Sequence, residues 1–503
     1  MTGSTTIDGA TDGIRIVENA GTTDFGRVEI RNRQNHGVVI DETEGQVVFN
    51  NELQIANEQS ATDSAIEITG SDADIVFTEN VNVTDATGDA AVSLRENAGT
   101  IGFADLDVTT DSAIGVQVVD SETLNIIDGE VSTTNAAAFD IEDADTLISI
   151  ESVSVDGGPV GIRLQDVTGS FVVTGIVDES GSGGSIVGTT NALLVENAGT
   201  IGLRSMTFDD NQTTFSVDTA ERFALWDSGV TGSSVLVADM LNVNAIEFLR
   251  SSFSDNASVF DWRANADEQY DWLLSEVTVD SGAASALRAV ATGDADLAVT
   301  IQNSVFTSTA TARDLLSISG SGLLTVAMTT NDIQTSGSDA TLLNIQTNSS
   351  TDLSRITVFN NLFTSTGSST TAIDVTTGGP SELLIEQNGI GFQGDRGIGM
   401  AFDFAGSSTL GLYSNIISDE FDGATGVLFR SVQGPSRLEI LSNELSFANL
   451  GGLSDRGFIF ETITGDVTLI GGTNNIVSGA STPVFVPSGR TNGSFIVNGV
   501  AVP

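Results

Sequence analysis

The chain has 503 residues, with 68 acidic against 18 basic side chains, a formal net charge of −50 and no Cys. A charge of that sign and size repels polyanions, which makes nucleic acid and anionic membranes poor candidates as partners. The lack of Cys excludes disulfides, thiolate metal centres and Cys nucleophiles.

Every basic residue is Arg. Hydrophobic residues make up 40% of the chain and aromatic residues 6%. Small and β-branched side chains therefore carry the apolar pattern, which favours strands. The acid excess suits saline or calcium-rich surroundings, where ions screen or bridge carboxylates. An extracellular or cell-surface setting is expected. No apolar run is long enough to span a membrane, so direct membrane insertion is not expected. The opening MTGSTTIDGATDG has neither the basic nor the apolar stretch of an export signal.

In chain order, residues 1–12 read as a short polar lead-in. From residue 13 a unit of small–apolar–any–apolar begins and recurs: GIRI at 13, GVVI at 37, AIEI at 65, AVSL at 91, GVQV at 115, AFDI at 138 and GIRL at 161. It continues less cleanly through NALL at 191, TFSV at 214, SVLV at 234, ASVF at 257 and ALRA at 286. It sharpens again from LLSI at 315 to GFIF at 457. About 18 units with a mean spacing of about 26 residues fall in the range of solenoid repeats. Each unit begins with a short strand, apolar on one face. A polar corner, a second strand such as GQVVF or TLISI, another bend and a third strand such as VEI or LDV follow. That is the plan of one β-helix coil.

The corner sequence ENAGT appears three times, at 18, 96 and 196. It reads as turn chemistry, with Gly21, Gly99 and Gly199 supplying a positive-φ bend and Asn19, Asn97 and Asn197 bonding to local backbone.

The stretch 220–275 departs from the pattern. It holds all three Trp residues (Trp226, Trp262 and Trp272) together with Tyr270. If exposed, these rings are candidates to stack on sugars or to anchor a partner. The other reading is that they plug a locally wide coil.

Beyond 300 a second regularity appears, Asn-any-apolar, at Asn303, Asn331, Asn361, Asn388, Asn415, Asn443 and Asn474. Stacked Asn amides can bond from coil to coil, and Asn tolerates the left-handed conformation of a sharp bend. The array is expected to run to 488, with 489–503 folding a last strand, FIV, over the final coil.

The period, the Asn ladder and the alternating strands resemble the right-handed parallel β-helix superfamily, the pectin-lyase-like fold, over nearly the whole chain. The handedness is implied by this resemblance. The superfamily includes polysaccharide lyases and hydrolases, phage tailspikes and non-enzymatic surface passengers and adhesins, and fold alone does not choose among them.

The resemblance implies specific tests for catalysis. A hydrolase would offer several Asp, a Gly-flanked His and an Arg-any-Lys motif. The only His is His36, in NHG, and without Lys the last motif is impossible. A lyase would offer a basic residue near calcium-binding Asp. Arg163, Arg288 and Arg430 are candidates, but no local motif singles one out. Clusters of carboxylates at Asp72 and Asp74, at Asp140, Asp143 and Asp145, and at Asp294 and Asp296 suit calcium by ligand type, without matching a known calcium-loop spacing. Solvated acidic turns are the plainer reading.

The expected function is therefore a non-catalytic structural solenoid: a surface passenger, an adhesin, or a matrix or filament subunit. It would require no cofactor, with calcium possible, and would associate with itself, with other surface components or with glycans. The alternatives are a polysaccharide-acting enzyme and a glycan-binding stalk.

Overall fold

The computed structural model describes residues 4–56, 63–86, 88–177, 179–348, 351–448, 454–487 and 491–502. It is all-β: a parallel β-solenoid of about 17 turns with roughly 27 residues per turn. The chain divides into two compact units, Met1–Val243 and Asn244–Pro503.

In the first unit, the recurrent four-letter motif becomes one continuous column. Ile14, Val38, Ile66, Val92, Val116, Phe139, Ile162, Leu193 and Phe215 are register partners from coil to coil. Where the residue before is Gly, the stack leaves no room for a side chain. A Cβ on Gly13 would lie 2.5 Å from the Gly37 carbonyl oxygen, and one on Gly115 would lie 2.6 Å from that of Ala138. At 191 the register is ALLV rather than NALL, because Leu193 is the residue that faces inward.

A second column stacks Phe25, Phe49, Phe77 and Phe103, with successive ring centroids 4.7, 4.7 and 4.6 Å apart. The strand spacing of about 4.8 Å sets this separation. The array begins earlier than residue 13, since strand Thr5–Asp8 already pairs in parallel with Val28–Arg31.

The ENAGT corners are structural, but their glycines act differently from the expectation. Positive φ falls on Glu18, Glu96 and Asn197, at 50°, 54° and 59°, and on none of the three glycines. Gly99 and Gly199 are needed for close approach instead. A Cβ would lie 2.0 Å from the Ala73 oxygen and 2.3 Å from the Gly169 oxygen, respectively. The third copy is also set one residue out of phase. Asn97 is buried and donates to the Ile68 carbonyl at 3.0 Å, whereas Asn197 is exposed and donates to Asp166 at 2.9 Å.

In the second unit the corresponding column runs Phe260, Leu287, Leu316, Leu343, Ile373, Met400, Val427, Phe458 and Val484. Near 257 the register is VFDW, not ASVF. At the end of the chain, strand Thr491–Val497 pairs in parallel with Val467–Ser478. It then turns back on Val500–Val502 in the antiparallel sense, burying Phe495.

The Asn ladder occupies the interior of this unit, beside the strands that begin at Val305, Asp332, Leu362, Gly389, Ile416 and Glu444. Its members are Ser304, Asn331, Asn361, Asn388, Asn415, Asn443 and Asn475. Asn303 and Asn474 are exposed neighbours, one residue out of phase. Period-2 alternation decides this: the ladder position shares the inward face with the apolar residue two places later. From Ser304 that residue is buried Phe306, whereas from Asn303 it is half-exposed Val305.

The backbone N–H of each ladder residue donates to the next Asn Oδ1 at 2.9–3.1 Å. The Nδ2 of each Asn from Asn331 to Asn443 donates to the same oxygen, and that of Asn475 donates to the Ile440 and Ile496 carbonyls. The left-handed bend lies on the residue before: Asn303, Thr330, Asn360, Gln387, Ser414 and Ser442 have φ between 51° and 59°.

Candidate functional site

The aromatic stretch does not form a surface site. Trp262 and Tyr270 are 0% exposed and Trp272 is 1% exposed. They point into the coil, where Trp262 stands opposite Ala289 and Tyr270 opposite Leu297. The small Ala289 leaves room for the indole. Trp262 also packs against Phe248, Phe260 and Trp272 at centroid distances of 5.2–5.6 Å. The contact role considered for these three rings is therefore corrected: they are interior plugs. Trp226, in the first unit, is half-buried. Its ring lies against Gly202, and the guanidinium carbons of Arg204 and Arg222 stand 4.9 and 5.8 Å from its centroid.

The candidate acidic clusters diverge. Asp140 pairs with Arg163 at 2.9 Å and Asp145 accepts from Thr168 at 3.0 Å. Asp143 instead belongs to a corner column with Asp120 and Asp166, each with φ of 50°. Desolvation, then the charges of Asp166 and Asp120, push the Asp143 carboxyl above the usual range. Asp72 and Asp74 are exposed on either side of buried Ala73. Asp294 is exposed, while Asp296 accepts the Leu323 N–H at 3.0 Å. Among the described residues, no group of three or more His, Asp or Glu side chains converges on a metal position.

His36 sits between carboxylates contributed by the coils on either side. Its Nδ1 is 3.3 Å from Asp12 and its Nε2 is 2.8 Å from Glu67. Partial burial pushes the Asp12 carboxyl up, but its hydrogen bonds to His36 and the charges of His36 and Arg15 hold it below the usual carboxylate value. Arg288 and Arg430 are likewise tied to carboxylates, at 2.7 Å to Asp261 and 2.8 Å to Asp374. The Arg430 partner lies 56 residues back, a pairing no local motif announces.

The feature that sequence reading missed is a face. In the second unit, strands Thr278–Asp280, Val305–Ser308, Asp332–Thr335, Leu362–Ser365, Gly389–Phe392, Ile416–Asp419 and Glu444–Phe447 stack in one sheet. One outward column reads Val305, Asp332, Leu362, Gly389, Ile416, Glu444 and Ile476; the other reads Thr307, Gln334, Thr364, Gly391, Ser418, Ser446 and Ser478. Neither contains Arg; their carboxylates are Asp332 and Glu444, and the first strand of the sheet adds exposed Asp280 in register with Thr307. Val305, Leu362, Ile416 and Ile476 are 36–55% exposed.

Two shallow grooves border this sheet. One, of about 400 Å³, is lined by Asn303, Asn360, Gln387, Val305 and Leu362 among others. The other, of about 290 Å³, is lined by Asp280 and by Thr, Ser and Gln side chains. The signal was present in the sequence as the residue between the ladder Asn and the next buried apolar residue. It became legible only once the register was known.

No family model, no curated protein and no solved structure matches this chain.

Proposed function

We propose that the protein is a non-catalytic structural β-solenoid of the cell surface or extracellular space, acting as a surface passenger, an adhesin, or a matrix or filament subunit. One observation carries this reading. In a chain of net charge −50, the sheet face built on Val305, Leu362 and Ile416 is nearly free of charge. Like-charged surfaces repel, so a face that is to meet another molecule is best kept neutral and flat. Alternating aliphatic and small hydroxyl residues provide area for lateral packing without a charged partner. Salt or calcium would promote such association by screening the rest of the surface.

The test is sedimentation and negative-stain electron microscopy in low salt, high salt and calcium, for the wild type and for a Thr364→Glu/Ile416→Glu variant. Assembly that grows with salt and is lost in the variant supports the reading. Assembly unaffected by the variant removes this face from it, and a monomer under all conditions removes the filament form.

The groove beside Asn303 favours a second reading, a glycan-binding stalk. Val305 and Leu362 offer an apolar floor for the C–H face of a neutral sugar, and Asn303, Asn360 and Gln387 offer amides for its hydroxyls. A panel of neutral and acidic glycans tests it. Binding that Asn360→Gly abolishes would support the stalk reading; no binding across the panel would sink it.

A further inference from the structure

One inward column of the second unit runs Ser308, Thr335, Ser365, Phe392, Asp419 and Phe447. Its hydroxyl members each accept the backbone N–H two residues on. Ser308 takes Ala310 at 3.0 Å, Thr335 takes Gly337 at 3.1 Å and Ser365 takes Gly367 at 3.1 Å. Asp419 performs the same task with Oδ1, accepting from Phe421 at 2.7 Å.

A hydroxyl meets this demand with its single oxygen. A carboxylate brings a second oxygen, and Asp419 Oδ2 is buried without any hydrogen-bond partner. The same bend receives a second carboxylate from the next coil. Asp455 Oδ1 accepts Gly423 N–H at 2.7 Å and Ala424 N–H at 3.0 Å, and its Oδ2 is also buried and unpartnered. Asp419 is 4% exposed and Asp455 1%. The two acids thus hang on amides two residues apart, at Phe421 and Gly423, each with one oxygen left over. Phe392 and Phe447 occupy the column on either side of Asp419, so water does not surround it. Buried carboxylates in such a place need a compensating charge.

We propose that Asp419 and Asp455 hold one hard divalent cation of the calcium class between their free Oδ2 atoms, locking the bend at 419–424. Oxygen donors of this kind suit calcium, and backbone carbonyls and water would complete a shell that two acids alone do not fill. The strongly negative chain raises the local concentration of cations. The site differs from the exposed acidic corners in being buried and in having its donors fixed by the fold. It does not depend on the surface role proposed above.

The test uses the full chain. Calcium binding is counted by equilibrium dialysis in molar NaCl, which suppresses weak surface binding, and the melting temperature is recorded with calcium, magnesium and chelator. The wild type is compared with Asp419→Ser and Asp455→Asn. Ser at 419 restores the hydroxyl used elsewhere in the column, so that variant keeps the bend and folds. The expected result is one salt-resistant calcium in the wild type and none in either variant, with the calcium-induced rise in melting temperature reduced to the same degree. An unchanged count and rise in Asp419→Ser would overturn the proposal. So would a wild type with no salt-resistant calcium, since the pair then holds a proton in place of the metal.

Discussion

Asn388 gives both its backbone N–H and its Nδ2–H to Oδ1 of Asn415, each at 3.0 Å, while its own Oδ1 receives the same two donors from Asn361. Asn388 thus bonds to the coils on both sides, and its Nδ2 also donates back to the Val358 carbonyl at 2.8 Å. Removing its amide breaks bonds on both sides. Asn388→Ala takes away the acceptor of the Asn361 backbone N–H, one of three acceptors around Asn361 Nδ2, and the Nδ2 donor to the Val358 carbonyl. At about 1–3 kcal/mol for a buried group left unpaired, the variant should lose roughly 3 kcal/mol. Asn303→Gly, one residue out of phase and still able to hold positive φ, should change the urea midpoint little.

The ENAGT copies predict a contrast among glycines. Gly99→Ala places a methyl 2.0 Å from the Ala73 carbonyl oxygen, whereas at Gly21 the nearest atom is the Asn19 side-chain oxygen at 3.7 Å. Gly99→Ala should destabilise the stack by about 3 kcal/mol or more, since backbone must move, and Gly21→Ala should be nearly neutral. Paired thermal melts decide this; equal effects would contradict the stacking account.

The interior Trp residues predict a fluorescence pattern. Trp262 and Trp272 should resist acrylamide and glycan quenching, and half-buried Trp226 alone should respond. Trp272→Ala should cost about 3–5 kcal/mol, as for large aromatic truncations in a core. A strong quench surviving in Trp226→Phe would place the other two rings at the surface.

Asp419 predicts a pH dependence. Burial, and then the neighbouring charges of Asp455, Asp395 and Asp422, outweigh the Phe421 hydrogen bond and raise its carboxyl from 3.8 to about 6. The folded state therefore binds this proton more tightly than the unfolded state does. Its contribution is fully present below pH 3.8 and is lost as the pH rises through about 6. In chelator, the melting temperature of the wild type relative to Asp419→Asn should fall between pH 4 and pH 7, as measured by paired melts. A constant difference would rule out titration of this group.

Like-charge crowding predicts salt stabilisation. Burial and the charges of Asp107, Glu151, Asp105 and Asp128 raise the Glu130 carboxyl, and the Asp120–Asp143–Asp166 column repeats the pattern at a corner. Exposed repulsion of this kind is screened within about 8 Å at physiological salt. Melting temperature should rise steadily with NaCl and level off near molar salt. A decrease would mean that attractive ion pairs such as Arg163–Asp140 dominate instead.

The sequence by itself determined the architecture. A strand exposes alternate residues to the core, and a coil repeated at 4.8 Å must match its neighbours in register, so period and alternation leave a visible record in GIRI, GVVI and AIEI. Phase and partnership were decided only by the tertiary structure. Whether Asn303 or Ser304 stands in the ladder depends on which face of the strand turns inward, and a one-residue slip exchanges the two faces. Whether Trp262 meets solvent depends on the same choice of face in strand Phe260–Ala264. Arg430 meets Asp374, and Asp455 reaches the bend that follows Asp419, because stacking brings together residues one or two coils apart. Such pairings are set by packing across coils, and no local spacing along the chain encodes them.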